Sequence, residues 1–369
     1  MNPAVDFLKK LGLFNLGEKS VEVCRSPHLP EKVVFVDGQA GCGKTMFSAI
    51  IAALERVELL TYAYEIEFVC ALHSLGKIQK DAASTLIKML TDLQLYNTML
   101  GRQTNFRPSD LSSIFRDPRP MRYLKRIFQK GEDEALQRIA QQKPILHLST
   151  HYLLSNAEPV FAALKERVLF VEIVRHPLYM IKQQTHNKKT LFSNVRDFTI
   201  YTKYKDTEVP YWTLGWEELF LSSNDVEKSI YEMEKRSQVI QTSKEYLIKT
   251  YNAQIFTIPF ESYVLNPWGY MEELEKRLDT KMTSLTKKIM KKQRVPRRMY
   301  AEGINLKVYK RYGWQPPQPQ SNELQEFELR RKFASEHSSA EAMKTLDGLC
   351  DRYEEKYLGG VKKVREHYV

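Results

Sequence analysis

The sequence lacks an apolar run long enough to cross a bilayer. Its start, Met1 to Lys10, is weakly amphipathic and lacks the apolar core and cleavage site of a secretory signal. Cysteine is scarce: Cys24, Cys42, Cys70 and Cys350 are widely scattered and form no metal-ligand spacing, so reduced thiols and no metal centre are expected. No internal repeat and no recognisable nucleic-acid-binding module is visible. These absences predict a soluble, cytoplasmic chain without a transmembrane segment. What is plentiful is apolar (43%) and charged (27%) residues in the balance of a globular protein, and 369 residues can bury a sizeable core as one large domain or two.

Acidic residues are in deficit: the formal charge is +11, which points to an anionic partner such as a nucleotide, a nucleic acid or an acidic glycan. Much of the excess falls late, at Lys287-Lys288, Lys291-Lys292, Arg294, Arg297-Arg298, Lys307, Lys310 and Arg311. A solvated helix face explains the lysines before Arg294 equally well.

The stretch that organises the rest is Val33 to Thr45, VVFVDGQAGCGKT. A β-branched and aromatic run stops at a glycine-rich turn, and an apolar helix opens at Thr45-Met46-Phe47. Gly38, Gly43, Lys44 and Thr45 satisfy G-x-x-x-x-G-K-[ST] in the strand–loop–helix context that the motif needs. Glycines let backbone N–H groups turn inward around a phosphate, the helix N-terminus adds partial positive charge, Lys44 adds a full one, and Thr45 can hold a metal or a phosphate oxygen.

Along the chain, Lys32–Val36 reads as the first strand. Residues 58–75 and 81–100 read as helices, 101–120 as a loop and 121–142 as one amphipathic helix. Together 59–142 form a helical insertion between the first two strands. Strands at 145–149, 168–174 and 254–259 alternate with helices at 158–166, 178–187, 225–251 and 267–278. This predicts an α/β fold: a three-layer P-loop-type parallel sheet flanked by helices. Residues 1–320 form one domain on this reading, and 321–369 a helical C-terminal extension.

Thr150, His151 and Arg175 fall at carboxyl ends of strands, where ligands collect in such sheets. An arginine fork suits phosphate, although Glu172 or Glu261 would make an ion-pair partner for Arg175. His147, within the strand and opposite Leu146 and Leu148 in the alternation, reads as a packed histidine. Arg102, Asn105, Arg107 and Asp110 crowd one loop and are candidates for an acceptor site. Tyr211, Trp212 and Trp216 are candidates to stack on a sugar or aromatic acceptor, packing being the other use of such spacing.

ILHLSTHYLL at 145–154 and VLFVEIVRHPLYMIKQQ at 168–184 resemble the central part of the sulfotransferase family, in which one strand ends in Thr-His plus an apolar pair and the next in Arg-Asp/Asn-Pro. QIFTIPFESYVLNPWGYMEELEKRL at 254–278 is similar to the family's strand, Tyr-Glu-x-Leu, Asn/Asp-Pro and helix; PRRMYAEG followed by YKRYGW resembles its basic loop. The resemblance covers about 31–50 and 145–315, and neither 59–142 nor the tail. It implies a 3′-phosphoadenosine 5′-phosphosulfate donor and transfer of its sulfuryl group to a hydroxyl or amine, as on a glycan or small molecule. By position, the loop of Gly41, Cys42, Gly43, Lys44, Thr45 and Met46 would hold the phosphosulfate. Arg175, with Arg297 or Arg298, would hold the 3′-phosphate, and His151 would be the general base. The chain departs from the pattern in its full Gly-Lys-Thr ending, in Gln183 where a serine is common, and in Ser149 where lysine is common. An amide at Gln183 can still donate to phosphate, and Lys44 can supply charge at the leaving oxygen. The alternative from the loop alone is an ATP- and Mg-dependent kinase or NTPase, against which stands the lack of an apolar strand ending in a Walker-type Asp.

Overall fold

The computed structural model of the chain describes residues 21–192, 194–304, 310, 315–317 and 321–359. Met1 to Lys10, Lys307, Arg311 and the Tyr309–Trp314 stretch apart from Lys310 lie outside the described residues. Five strands make one parallel sheet: β1 (Lys32–Asp37), β2 (Thr61–Tyr62), β3 (Ile145–Ser149), β4 (Val168–Val174) and β7 (Ile255–Pro259), in the order β2-β3-β1-β4-β7. The expected α/β sheet flanked by helices is therefore what forms.

The alternation of apolar residues explains the three layers. Val34 and Val36 of β1 face one core with Leu169, Val171 and Ile173 of β4. Val33 and Phe35 face the other with Leu146, Leu148 and Phe170. Strands apolar on both faces need cover on both. α1 (Lys44–Ile51) and α7 (Pro177–Thr190) cover the first face; α2 (Tyr64–Ser74), α3 (Lys80–Leu100) and α6 (Glu158–Leu164) cover the second. β3 and β4 flank β1 on opposite sides, so the crevice above their carboxyl ends is the switch point where α/β sheets bind ligands.

Several boundaries differ from expectation. The helix expected over 58–75 begins only at Tyr64: Thr61 and Tyr62, inside the segment read as a helical insertion, form β2 on the sheet edge, too short a strand to leave a pattern. The helix expected over 121–142 is two, α4 (Pro120–Arg126) and α5 (Asp133–Gln142), with Glu132 at φ 48° between them. Fully buried Glu58, paired with Arg126 Nη1 at 2.7 Å and with Arg122, anchors α4 to the sheet edge. Residues 201–210 form a two-stranded hairpin, β5 (Tyr201–Tyr204) and β6 (Thr207–Pro210). Its turn is Lys205-Asp206, with Lys205 at φ 50°, so the Asn-Gly signal that announces hairpins is missing. The segment read as a helical C-terminal extension forms helices within its described residues, 321–359, and these helices pack against the core. In α13 (Glu323–Ser335) and α14 (Ala340–Tyr357), Ala334, Ala342, Met343, Leu346 and Leu349 join the core that holds α1 and β4. Among the described residues no helix is long and apolar enough to cross a membrane.

His147 pairs in register with Val34, is fully buried, and neither ring nitrogen makes a hydrogen bond of normal geometry. Burial, offset a little by the Glu58 backbone beside it, pushes its pKa down to about 4. The folded state then refuses a proton that the unfolded chain accepts below about pH 6.5. Stability is fully present above that pH and drains away as pH falls toward 4. Between pH 7 and pH 5 the loss from this group is about 2 kcal/mol. His147→Leu should remove that part of the slope without lowering stability at pH 7, as read by urea unfolding at the two pH values. An unchanged slope in the variant would show that His147 does not set it.

Candidate functional site

A cavity of about 580 Å³ opens above the carboxyl ends of β1, β3 and β4, within the size range of small-molecule sites. The glycine loop forms its floor. Gly38, Gly41 and Gly43 have φ of 148°, 88° and 102°, all in the region that favours glycine. Gly43 has a further reason to be glycine: a Cβ there would stand 2.5 Å from the Phe260 ring. The loop leads directly into α1, whose helical hydrogen bonds begin with the Met46 and Phe47 N–H groups on Gly43 O, so the N–H groups of Lys44 and Thr45 precede that ladder. Gly41, Gly43, Lys44, Thr45 and Met46 all line the cavity. Lys44 Nζ lies across the loop, bonded to the carbonyls of Gly38 and, at 3.3 Å, Gln39.

Arg175 leaves the end of β4 and reaches over this loop. Its Nη1 donates to Gly41 O at 2.9 Å, and its guanidinium lies 4.1 Å from the Phe260 ring centre and 5.0 Å from that of Tyr179. Glu261 stands 3.8 Å from Nε, beyond hydrogen-bond range, and is itself satisfied by the Tyr353 hydroxyl at 2.5 Å and the His176 N–H. The ion pair considered from sequence is thus a loose electrostatic hold, and Glu172 is bound instead to Lys244 and Thr257. Burial draws Arg175 below the ordinary arginine pKa, partly opposed by Glu261, but a guanidinium remains charged.

Three more cations line the same end. Arg297 Nη2 touches Met46 Sδ at 3.2 Å and its guanidinium sits 5.3 Å from the Phe260 ring centre. Arg330, from α13, lies 4.2 Å over Tyr179. Lys182 is one turn beyond Tyr179 on α7, and burial next to Arg330 lowers its pKa. Five positive side chains therefore converge on the glycine loop, an electrostatic cradle for more than one anionic group.

His151, directly after β3, lines the cavity beside the rings of Tyr62 and Tyr64, whose centres are 6.1 and 5.9 Å from its own and 5.9 Å from each other. Glu67 Oε1, on α2, takes its backbone N–H at 2.8 Å and approaches Nδ1 at 3.2 Å. A carboxylate on Nδ1 favours the tautomer whose Nε2 carries the lone pair, the arrangement of an oriented base. Asp37, at the end of β1, is not open to a ligand: it accepts from Thr150 Oγ1 at 2.8 Å and from the N–H groups of Leu153 and Leu154. Among the described residues no group of three or more His, Cys, Asp or Glu is placed to hold a metal ion.

The cavity collects Gly41, Gly43, Lys44, Thr45, Met46, His151, Arg175, Gln183, Arg297, Tyr211 and Trp212 from the sequence-derived candidates. It does not collect the others. Gly38 and Cys42 lie behind the loop, where burial raises the Cys42 thiol pKa. Arg298 is exposed and pairs with Glu302. Trp216 packs on Trp212 and Phe220. Arg102, Asn105 and Arg107 are not among the lining residues: Asn105 bonds Asp110 and Ser112, and Arg107 bonds Ser109, so these polar groups hold their own loop together. His176 caps α7 through Nδ1, accepting from Leu178 N–H at 3.3 Å, the job an Asp or Asn does elsewhere. Lys182 was legible in principle, one helical turn past Tyr179. Glu67, 84 positions from His151, and Arg330, in the segment read as an extension, left no local signal.

No protein-family profile matches the chain, and no curated protein matches it. Solved structures that it resembles include the sulfotransferase domain of a Synechococcus olefin synthase (TM-score 0.39, 12% identity, covering 85% of this chain and 98% of that one). The sulfotransferase domain from the curacin biosynthetic pathway follows at TM-score 0.38 and 13% identity, covering 83% and 99%. A sulfotransferase from Mycobacterium avium has TM-score 0.38 and 11% identity, covering 90% and 78%.

Gly43→Ala should cost about 1–3 kcal/mol of stability, because the left-handed backbone and the Phe260 ring both oppose a Cβ. Chemical unfolding measures it; a variant as stable as the parent would mean that the ring does not fix the loop.

Proposed function

We propose that the chain is a sulfotransferase that moves a sulfuryl group from 3′-phosphoadenosine 5′-phosphosulfate to a hydroxyl or amine acceptor. The observation that carries this reading is Arg175, set across the glycine loop on two aromatic rings and flanked by Lys182, Arg297 and Arg330. A nucleotide with phosphates at both ends of its ribose needs two cationic centres; the loop with Lys44 is one and this cluster is the other. The motifs at Thr150-His151 and Arg175-His176-Pro177 give the same indication.

In the reaction, the acceptor oxygen or nitrogen bonds to sulfur as the bond from sulfur to the bridging phosphate oxygen breaks. Adenosine 3′,5′-bisphosphate leaves, and the acceptor proton passes to His151 Nε2. Glu67 holds the ring and stabilises the imidazolium that forms. Lys44 and the N–H groups at the start of α1 stabilise charge on the leaving oxygen. Tyr62 and Tyr64 keep the ring in plane.

The kinase alternative draws on Lys44-Thr45. It needs a carboxylate near the loop to hold Mg²⁺. Asp37 is taken up by Thr150 and two N–H groups, Glu172 by Lys244, and β3 ends in Ser149. Those engagements weigh for the phosphosulfate donor.

Adenosine 3′,5′-bisphosphate should raise the melting temperature more than ATP with Mg²⁺ at equal concentration. The reverse order would favour the kinase. Arg175→Ala should weaken the bisphosphate by roughly ten- to hundredfold, the worth of a charge-assisted hydrogen bond of about 1.5–3 kcal/mol. Equal loss for adenosine 5′-phosphate would remove the 3′-phosphate role. His151→Ala should cut transfer by about 10²–10⁴-fold with bisphosphate affinity intact, whereas retained turnover would mean another base.

A further inference from the structure

One wall of the cavity carries a charge arrangement that the donor does not explain. Glu232 and Arg236 sit one turn apart on the long helix α9 (Asp225–Tyr251), and Lys188 faces them from α7. All three are more than nine-tenths buried. Glu232 takes Arg236 Nε at 2.7 Å on one oxygen and Lys188 Nζ on the other. Two buried cations thus share one carboxylate, which leaves a net positive charge out of bulk water. Such a charge is costly unless something anionic meets it.

The protein offers little else to meet it. The other carboxylates on the cavity wall are engaged: Glu67 with His151, Asp197 with the Tyr201 hydroxyl and Thr199 N–H, Glu302 with Arg298. Asp225 acts on Lys188 only at longer range. Arg236 Cζ lies 3.8 Å over the Tyr152 ring centre and 4.6 Å from that of Trp212. Its Nε is spent on Glu232. Among the described residues no acceptor takes Nη1 or Nη2. What remains is the outer edge of a fixed fork, the geometry that matches a planar carboxylate through two parallel hydrogen bonds. Around it the wall is apolar and aromatic, with Leu191, Phe192, Phe198, Ile200, Tyr211 and Trp212.

We propose that Arg236, oriented by Glu232 and lying against Tyr152 and Trp212, binds the carboxylate of the acceptor, which is an aromatic hydroxy acid: its ring lies on the aromatic wall and its hydroxyl is the group presented to His151. The identity of the acceptor rests on the transfer reading only for the fate of that hydroxyl; recognition of the carboxylate can be measured without turnover.

The test uses para-hydroxybenzoate, para-hydroxyphenylacetate and 3-(para-hydroxyphenyl)propanoate, each beside its methyl ester. Binding to the full chain is followed by calorimetry in the presence of adenosine 3′,5′-bisphosphate and in its absence. At least one acid should bind about tenfold or more tightly than its ester, the scale of a buried charge pair. In Arg236→Gln that preference should fall to about one, and in Arg236→Lys, which keeps charge but not the fork, it should be intermediate. The wild-type comparison needs no variant, and Lys188 keeps Glu232 paired when Arg236 is replaced. If no acid is preferred over its ester, whether all bind equally or none binds, the proposal is wrong. It is also wrong if Arg236→Gln keeps the preference, or loses the bisphosphate instead, which would assign Arg236 to the donor. Failure of the bisphosphate to bind wild type, with the acid preference intact, would count against the transfer reading and not against this one.

Discussion

The Phe260 ring is the contact on which the site depends. It lies against Gly43, so no side chain fits there, and the same ring carries the guanidinium of Arg175 at 4.1 Å and that of Arg297 at 5.3 Å. One aromatic face thereby sets both the shape of the phosphate loop and the position of two cations above it. A cation over a ring face gains electrostatic energy without giving up its hydrogen-bond donors. The ring is fixed in turn by position: Phe260 directly follows β7 and is buried in the core that α13 and α14 close.

The cavity is electrically divided. At the glycine loop, Lys44, Arg175, Lys182, Arg297 and Arg330 form a cationic end that two phosphate groups would neutralise. Elsewhere the wall is aromatic, and its buried charges are arranged as a pair and a remainder, with Glu232 serving both Lys188 and Arg236. His151, with Glu67 behind it, stands among Tyr62 and Tyr64 on that wall. The positive side chains gather at one end, and the histidine held by Glu67 lies against two tyrosines.

The sheet could be read from the sequence because its strands are buried on both faces and so appear as continuous apolar runs. β3 and β4 fall on their expected residues, and α9 on 225–251. The loop was legible because its glycines have a steric cause that a motif records. β2 and the β5–β6 hairpin escaped because two residues leave no period and Lys205-Asp206 turns without glycine. Glu67, Arg236 and Arg330 escaped for another reason. Each enters the cavity through tertiary packing of a helix whose spacing only says which face is buried, not what that face meets. The polar loop at 102–110 shows the converse: Asn105, Arg107, Ser109 and Asp110 are dense enough to suggest binding, yet they bond to one another.

A crystal structure of the chain grown with adenosine 3′,5′-bisphosphate tests the two-centre cradle most directly. The 5′-phosphate should lie on the N–H groups of residues 41–45 and on Lys44 Nζ, with the 3′-phosphate in hydrogen-bond contact with Arg175 and at least one of Lys182, Arg297 and Arg330. A nucleotide bound elsewhere, or one whose 3′-phosphate turns to solvent while Arg175 closes onto Glu261, would contradict it.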